Sequence, residues 1–193
     1  MKKKIILLIM IASILNLFGC KKKVETKITK PNFTEETING TKDTELLEKV
    51  WNNISSKLST DYEKEYESVL KLSKSEQAIY IIWNLEGEIN NGGFNQYYFN
   101  SSGQFADLVP DALKLIHANK FADLVVKANN IYKKEYKNIT KHQDGTLEGF
   151  SKSYDDNPLN KLDDEFYDLY KTEKLENLLI EYIRQNKSEF VDK

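Results

Sequence analysis

The chain has 193 residues, with 28 lysines and arginines against 30 aspartates and glutamates, a formal net charge of −2, and a single cysteine. That balance excludes the basic excess of a general nucleic-acid binder, and one cysteine excludes an internal disulfide framework. The length suits one domain with a substantial core.

The N-terminus reads as a leader. Lys2, Lys3 and Lys4 are followed by an apolar run from Ile5 to Phe18, interrupted only by Ser13 and Asn16, and closed by Leu17-Phe18-Gly19-Cys20. A basic head, a short apolar stretch and a small residue before the cut make a secretory signal. The closing residues resemble the bacterial lipobox, in which the cysteine takes a lipid and becomes the first mature residue. The expectation is therefore a signal peptide over 1–19 and lipidation (diacylglycerol, palmitate) at Cys20. It places the protein on an extracytoplasmic membrane surface, with the membrane itself as a partner through the anchor. Two alternatives stand beside it: a plain secretory signal, and an uncleaved transmembrane anchor. The second fits poorly, because 14 apolar-run residues fall short of the roughly 20 needed to span a bilayer.

Residues 20–42 read as a flexible tether, with Lys21, Lys22 and Lys23, then Pro31 and Gly40, and few large apolar side chains. From about Asp43 the apolar spacing is helical. Leu47, Val50, Trp51, Ile54 and Leu58 mark one helix; Tyr62, Tyr66, Val69 and Leu70 suggest a second, short one. Ser73 to Glu76 has capping-box spacing and opens a helix through Ile79, Ile82, Trp83 and Ile89. Gly92-Gly93 should end or bend it. Pro110 suits the first turn of a helix running to about Ala118, and Phe121, Leu124, Val125, Ala128, Ile131 and Tyr132 line the next. Residues 137–160 read as a long connection. Two helices close the chain, one on Leu162, Phe166, Leu169 and Tyr170, the other on Leu175, Leu178, Leu179 and Tyr182. The expected fold class is all-α, a compact multi-helix domain over 43–191.

The run Glu88 to Gly103 holds the densest set of special residues. If a helix restarts at Phe94, then Phe94, Tyr97 and Tyr98 face the core, and Gln96 and Asn100 share the opposite side. Asn90 and Asn91 precede the glycines, where amides cap freed backbone groups. A pocket rimmed by Glu88, Asn91, Gln96 and Asn100 is one reading. A tight structural turn, with Gly103 terminating the helix at C′, is the other. Glu86 and Glu88 are two apart, on different sides of a helix, so they are no catalytic pair.

This run, Glu-Ile-Asn-Asn-Gly-Gly-Phe-Asn-Gln-Tyr-Tyr-Phe-Asn-Ser-Ser-Gly, resembles the signature of the DNA-mimic-protein-like domains. Leu162-Asp163-Asp164-Glu165-Phe166-Tyr167 and the closing helix are similar to that family's C-terminal part. The family comprises mostly uncharacterised all-helical bacterial proteins, named for a member that imitates duplex DNA to occupy a DNA-binding protein. The resemblance spans about Asp43 to Val191. It implies signature positions Glu88, Asn91, Gly92, Gly93, Phe94, Gln96 and Asn100, a protein partner, and no direct nucleic-acid binding. It assigns no catalytic role. Against mimicry stand the net charge of −5 after removal of residues 1–19 and the extracytoplasmic address. An acidic stretch with Asp155, Asp156, Asp163, Asp164, Glu165 and Asp168 suits a basic partner or an ordinary solvated surface.

Enzymatic constellations are missing from the sequence. His117 and His142 lack ligands at metal spacing, and there is no nucleophile elbow, phosphate loop or dinucleotide fingerprint. His117 reads as a surface or capping residue and His142 as solvent-exposed. No cofactor and no catalytic residue is expected. A lipid-anchored protein-binding module is the leading reading. A ligand-binding or hydrolytic domain using Glu88–Asn100, or a purely structural envelope lipoprotein, are the alternatives.

Overall fold

The computed structural model describes residues 32–192, so the leader, Cys20 and the first part of the expected tether lie outside the described residues. Within that range the regular structure is helical, with no strand among the described residues: α1 (Glu35–Gly40), α2 (Asp43–Ser55), α3 (Glu65–Leu70), α4 (Lys74–Phe99), α5 (Val109–Leu115), α6 (Asn119–Ile139), α7 (Leu147–Lys152), α8 (Asn160–Leu169) and α9 (Leu175–Gln185). Short 3-10 turns precede α3, follow α4 and follow α9. The all-α class is what the helical spacing dictates.

The long α4 is the axis. Every residue from Ser75 to Ile82 is buried, and α2, α5 and α8 all pack on it. Its start is a true capping box: the Ser73 hydroxyl accepts the Glu76 amide (3.1 Å), and the Glu76 carboxylate accepts the Ser73 amide (3.0 Å). A helix buried on all sides must satisfy its polar side chains internally. Ser75 meets the Tyr182 hydroxyl at 2.7 Å, and the Gln77 amide donates to the carbonyls of Leu70 and Leu72 (3.2 and 2.9 Å). Ile79, Ile82, Leu85 and Ile89 are fully buried; each contributes roughly 1.5–3 kcal/mol.

Several expectations are corrected. The expected tether does not extend to residue 42: Phe33 and Ile38 are buried, and α1 is capped by Thr34. Arg184, the chain's one arginine, donates to the carbonyls of Ile38 and Thr41 (2.6 Å for the latter) and pairs with Asp43 at 2.6 Å. Gly103 does not end a helix. It lies inside the 3-10 turn Ser101–Phe105, where a Cβ would approach the Tyr97 carbonyl oxygen to 2.9 Å. The connection 137–160 is shorter than expected, because α6 runs on to Ile139 and α7 occupies Leu147–Lys152. A threonine cap explains α7: the Thr146 hydroxyl accepts the Gly149 amide at 2.9 Å, and Asp144 fixes Thr146 in turn.

The helix after Pro110 ends at Leu115 in a Schellman motif, with bonds from Ala118 N–H to Leu113 O (2.8 Å) and from His117 N–H to Lys114 O (3.0 Å). His117 occupies the left-handed C′ position at φ 63°, a place glycine usually holds. His142 is partly buried, not open to solvent.

Candidate functional site

The Gly92–Gly93 pair interrupts α4, which kinks there and restarts as a second helical segment at Phe94. Gly93 sits at φ 70°, ψ −174°, a region essentially restricted to glycine. A Cβ there would also run into the Asp163 carboxylate, and one at Gly92 would meet the Gln96 amide oxygen and the Tyr154 hydroxyl. The bend breaks the helical ladder, and groups from the C-terminal third take up the freed backbone. Tyr167 donates to the Ile89 carbonyl and Tyr154 to the Gly92 carbonyl, both at 2.8 Å, while Asp163 Oδ1 accepts the Phe94 amide at 2.8 Å. Below them Asn95, 1% exposed, donates to Ser153 Oγ (2.7 Å) and accepts from Asn157 (2.8 Å). Phe94, Tyr97 and Tyr98 face the core as the restarted helix requires, with Phe94 edge-on to Phe166 and Tyr98 stacked on Tyr132 at 4.1 Å.

On the opposite side, Glu88 joins the two halves of the bent helix. Its Oε2 accepts from Gln96 Nε2 and Asn100 Nδ2, each at 2.8 Å, and its Oε1 accepts from Ser102 Oγ at 3.2 Å. Of the four rim residues expected around a pocket, Glu88, Gln96 and Asn100 are thus bonded together. Asn91 is exposed and makes no side-chain hydrogen bond among the described residues. Asn90 and Asn91 do not cap the freed backbone. Tyr154, Tyr167 and Asp163 do, from 62 to 78 positions away. No local spacing signals a pairing that distant.

Three carboxylates near the bend share one property. Glu88 is held by amides and a hydroxyl, Asp163 by a backbone N–H, and Glu86 by the Tyr170 hydroxyl. None of the three pairs with a lysine or arginine among the described residues, unlike Glu165 (Lys127, 2.8 Å) and Asp168 (Lys171, 2.5 Å). Their fields overlap: burial raises the Tyr154 phenol, and the charges of Asp163 and Glu88 raise it further. Burial likewise pushes the Asp163 carboxyl above its usual range, against the Phe94 hydrogen bond. Glu86 is pushed up to about 7 by burial, with Glu176 adding repulsion. It lines a groove of about 410 Å³ between α2, α4 and α9 with Glu48, Trp83 and Glu176.

The charge of the folded part also differs from that of the whole chain. Residues 32–192 hold 29 acids and 19 bases, a net of −10, while the first 31 residues hold eight lysines and one glutamate. Counting the tether lysines with the domain hides half of its acidity. Asp155, Asp156 and Asp164 are exposed and outside any salt bridge among the described residues. No three His, Cys, Asp or Glu side chains gather to hold a metal ion among those residues.

What this arrangement can do is present fixed negative charge; no nucleophile with a partnered base is assembled at the bend. No curated protein matches the chain. The profile of the DMP19-like protein family matches residues 70–186, from the end of α3 to the end of α9. That span is narrower than the Asp43–Val191 resemblance and leaves α1 and α2 outside it. It contains the bent helix, its glycine pair and all the groups that staple the bend, and on it the chain belongs to the DMP19-like protein family.

Proposed function

We propose that this is a lipid-anchored, extracytoplasmic protein-binding module that offers a fixed array of carboxylates to a basic protein surface. The observation that carries the reading is acidic charge without cationic partners around the bend: Glu88 and Asp163, held by neutral donors, and the exposed Asp155, Asp156 and Asp164, outside any salt bridge among the described residues. A carboxylate paired with lysine is largely neutralised at a distance. One held by an amide, a hydroxyl or a backbone N–H keeps its full charge while losing its freedom to move. Duplex DNA presents the same combination to proteins, a rigid array of charges without covalent counterions. The net charge of −10 over residues 32–192 supports the reading, as does membership of a family named for DNA mimicry.

Anchoring through Cys20 is the second half of the proposal and rests on the leader alone. It puts the partner at the cell envelope, so the partner is a basic protein surface there.

Crosslinking in intact cells, followed by detergent solubilisation and duplex-DNA competition, tests the binding half. The proposal expects a basic protein that duplex DNA or high salt displaces. A partner indifferent to both contradicts it.

A further inference from the structure

Glu86 supports no backbone group at the bend. It lies on α4 two positions before Glu88, and so on another side of the helix. Tyr170 donates to its Oε1, and its second oxygen accepts no hydrogen bond among the described residues. The carboxyl lines the groove of about 410 Å³ between α2, α4 and α9, and each of those helices brings one acid to it: Glu48, Glu86 and Glu176. No lysine, arginine or histidine lines the groove. None of the three acids enters a salt bridge among the described residues. Carboxylates gathered without a cation repel one another, and Glu86 shows it: the Glu176 charge adds to the rise that burial causes.

The groove also has an aromatic wall. Trp83 lines it, half-buried, and its ring is backed by Trp51 with centroids 5.7 Å apart. Trp51 is stacked in turn on Tyr80 at 6.2 Å. Gly87 leaves the lining open, because a Cβ there would meet no atom within 4 Å. Acids alone describe any solvated surface. An indole and a carboxylate with a spare acceptor, in a concavity that holds no cation of its own, describe the complement of a planar cation. The acids are not gathered closely enough to hold a metal ion, which suits a ligand whose donors are spread over a plane.

We infer that this groove receives an arginine side chain of the basic partner, its guanidinium set between Trp83 and the carboxylates of Glu86 and Glu176. The inference rests on the reading of a basic protein partner and adds one specific contact to it. Guanidinium matches both walls, since its face stacks on an indole and its edge donates in pairs to carboxylates; an ammonium does neither as well.

The test uses the full-length acylated protein in a neutral detergent and the blocked tripeptide acetyl-Gly-Arg-Gly-amide. The chain has two tryptophans, Trp51 and Trp83, so its own emission reads the groove. Expected at pH 8 is a saturable change in emission, with the citrulline and lysine counterparts binding about tenfold more weakly. Binding should weaken as pH falls from 8 to 6, because Glu86, raised to about 7, takes up a proton and loses its charge. Glu48 on α2, Tyr170 on α8 and Glu176 on α9 are the other titratable groups around it. Glu86→Gln leaves all three in place and should remove the pH dependence. Gly87→Leu keeps every carboxylate but fills the groove, and should abolish binding with no loss of melting temperature.

An arginine peptide bound no better than its citrulline counterpart overturns the inference. So does binding that survives Gly87→Leu, which marks diffuse attraction to the acidic surface. Equal binding of the lysine peptide, or of spermidine, overturns the assignment to arginine. None of these results touches the reading of a basic partner, which the duplex-DNA and salt competition judges separately. A crosslinked partner indifferent to both overturns that reading and this inference together.

Discussion

Asp163 reaches from α8 to accept the amide hydrogen of Phe94 at 2.8 Å, so a carboxylate from one helix caps the restart of another. That single bond explains why Gly93 must lack a side chain, since a Cβ would occupy the carboxylate's place. It also makes the bend a joint between the middle and the end of the chain.

Substitutions at Asp163 separate capping from charge. Asp163→Ala leaves the Phe94 amide without its acceptor and should cost about 1–3 kcal/mol. Asp163→Asn keeps an oxygen acceptor and should cost less. Gly93→Ala adds backbone strain to the steric conflict and should cost about 2–4 kcal/mol. Denaturant melts of the three variants check the order: Gly93→Ala worst, Asp163→Asn mildest.

Glu86 supplies a pH dependence whose sign is fixed. Its folded pKa is raised to about 7, above the unfolded carboxylate value of about 4.3. The folded state therefore binds more protons than the unfolded state between those values, and stability falls as pH rises through that window. The loss is on the order of 1–3 kcal/mol, reduced by the group's partial exposure. Glu86→Gln should flatten the slope and melt higher than wild type at pH 8. An unchanged slope would place the titrating group elsewhere, with Asp163 next to be tested.

Much of the fold can be read from the sequence because it is helical and amphipathic. The Ser73–Glu76 cap, the apolar face of α2 and the turn at Pro110 are local signals, and the structure realises each. The bend at Gly92–Gly93 and the inward set Phe94, Tyr97 and Tyr98 follow from composition and a turn of about 100° per residue. What spacing cannot supply is the identity of the groups that satisfy the bend. Tyr154, Tyr167 and Asp163 meet it only through tertiary packing, and α7 gives little signal because it is brief and lies between Gly145 and a stretch of polar residues. Residues 32–42 read as a spacer for a related reason. Their polar composition resembles a spacer, yet two apolar side chains and Arg184 are enough to fold them.

Arg184 tests that last point. Its guanidinium reaches two carbonyls and a carboxylate at once, a geometry that the point charge of lysine cannot reproduce. Arg184→Lys should destabilise the domain by about 1–2 kcal/mol. It should also speed proteolysis between Asn32 and Lys42, where α1 would open first. Limited proteolysis with N-terminal sequencing reads this directly, and cleavage that begins elsewhere would argue against it.

The address is tested independently of the binding. Fatty-acid labelling should mark the wild-type protein and not Cys20→Ser, and the substituted protein should leave the membrane fraction. Equal labelling of both removes the anchor from the account.

Binding of the crosslinked partner to Asp155→Asn/Asp156→Asn/Asp164→Asn decides whether unpaired surface acids around the bend hold that partner, because these exposed acids carry charge and no hydrogen bond that supports the bend. Expected are an unchanged melting temperature, a weaker complex and a shallower dependence of affinity on salt. A triple variant that binds as tightly as wild type, with the same salt dependence, would contradict it.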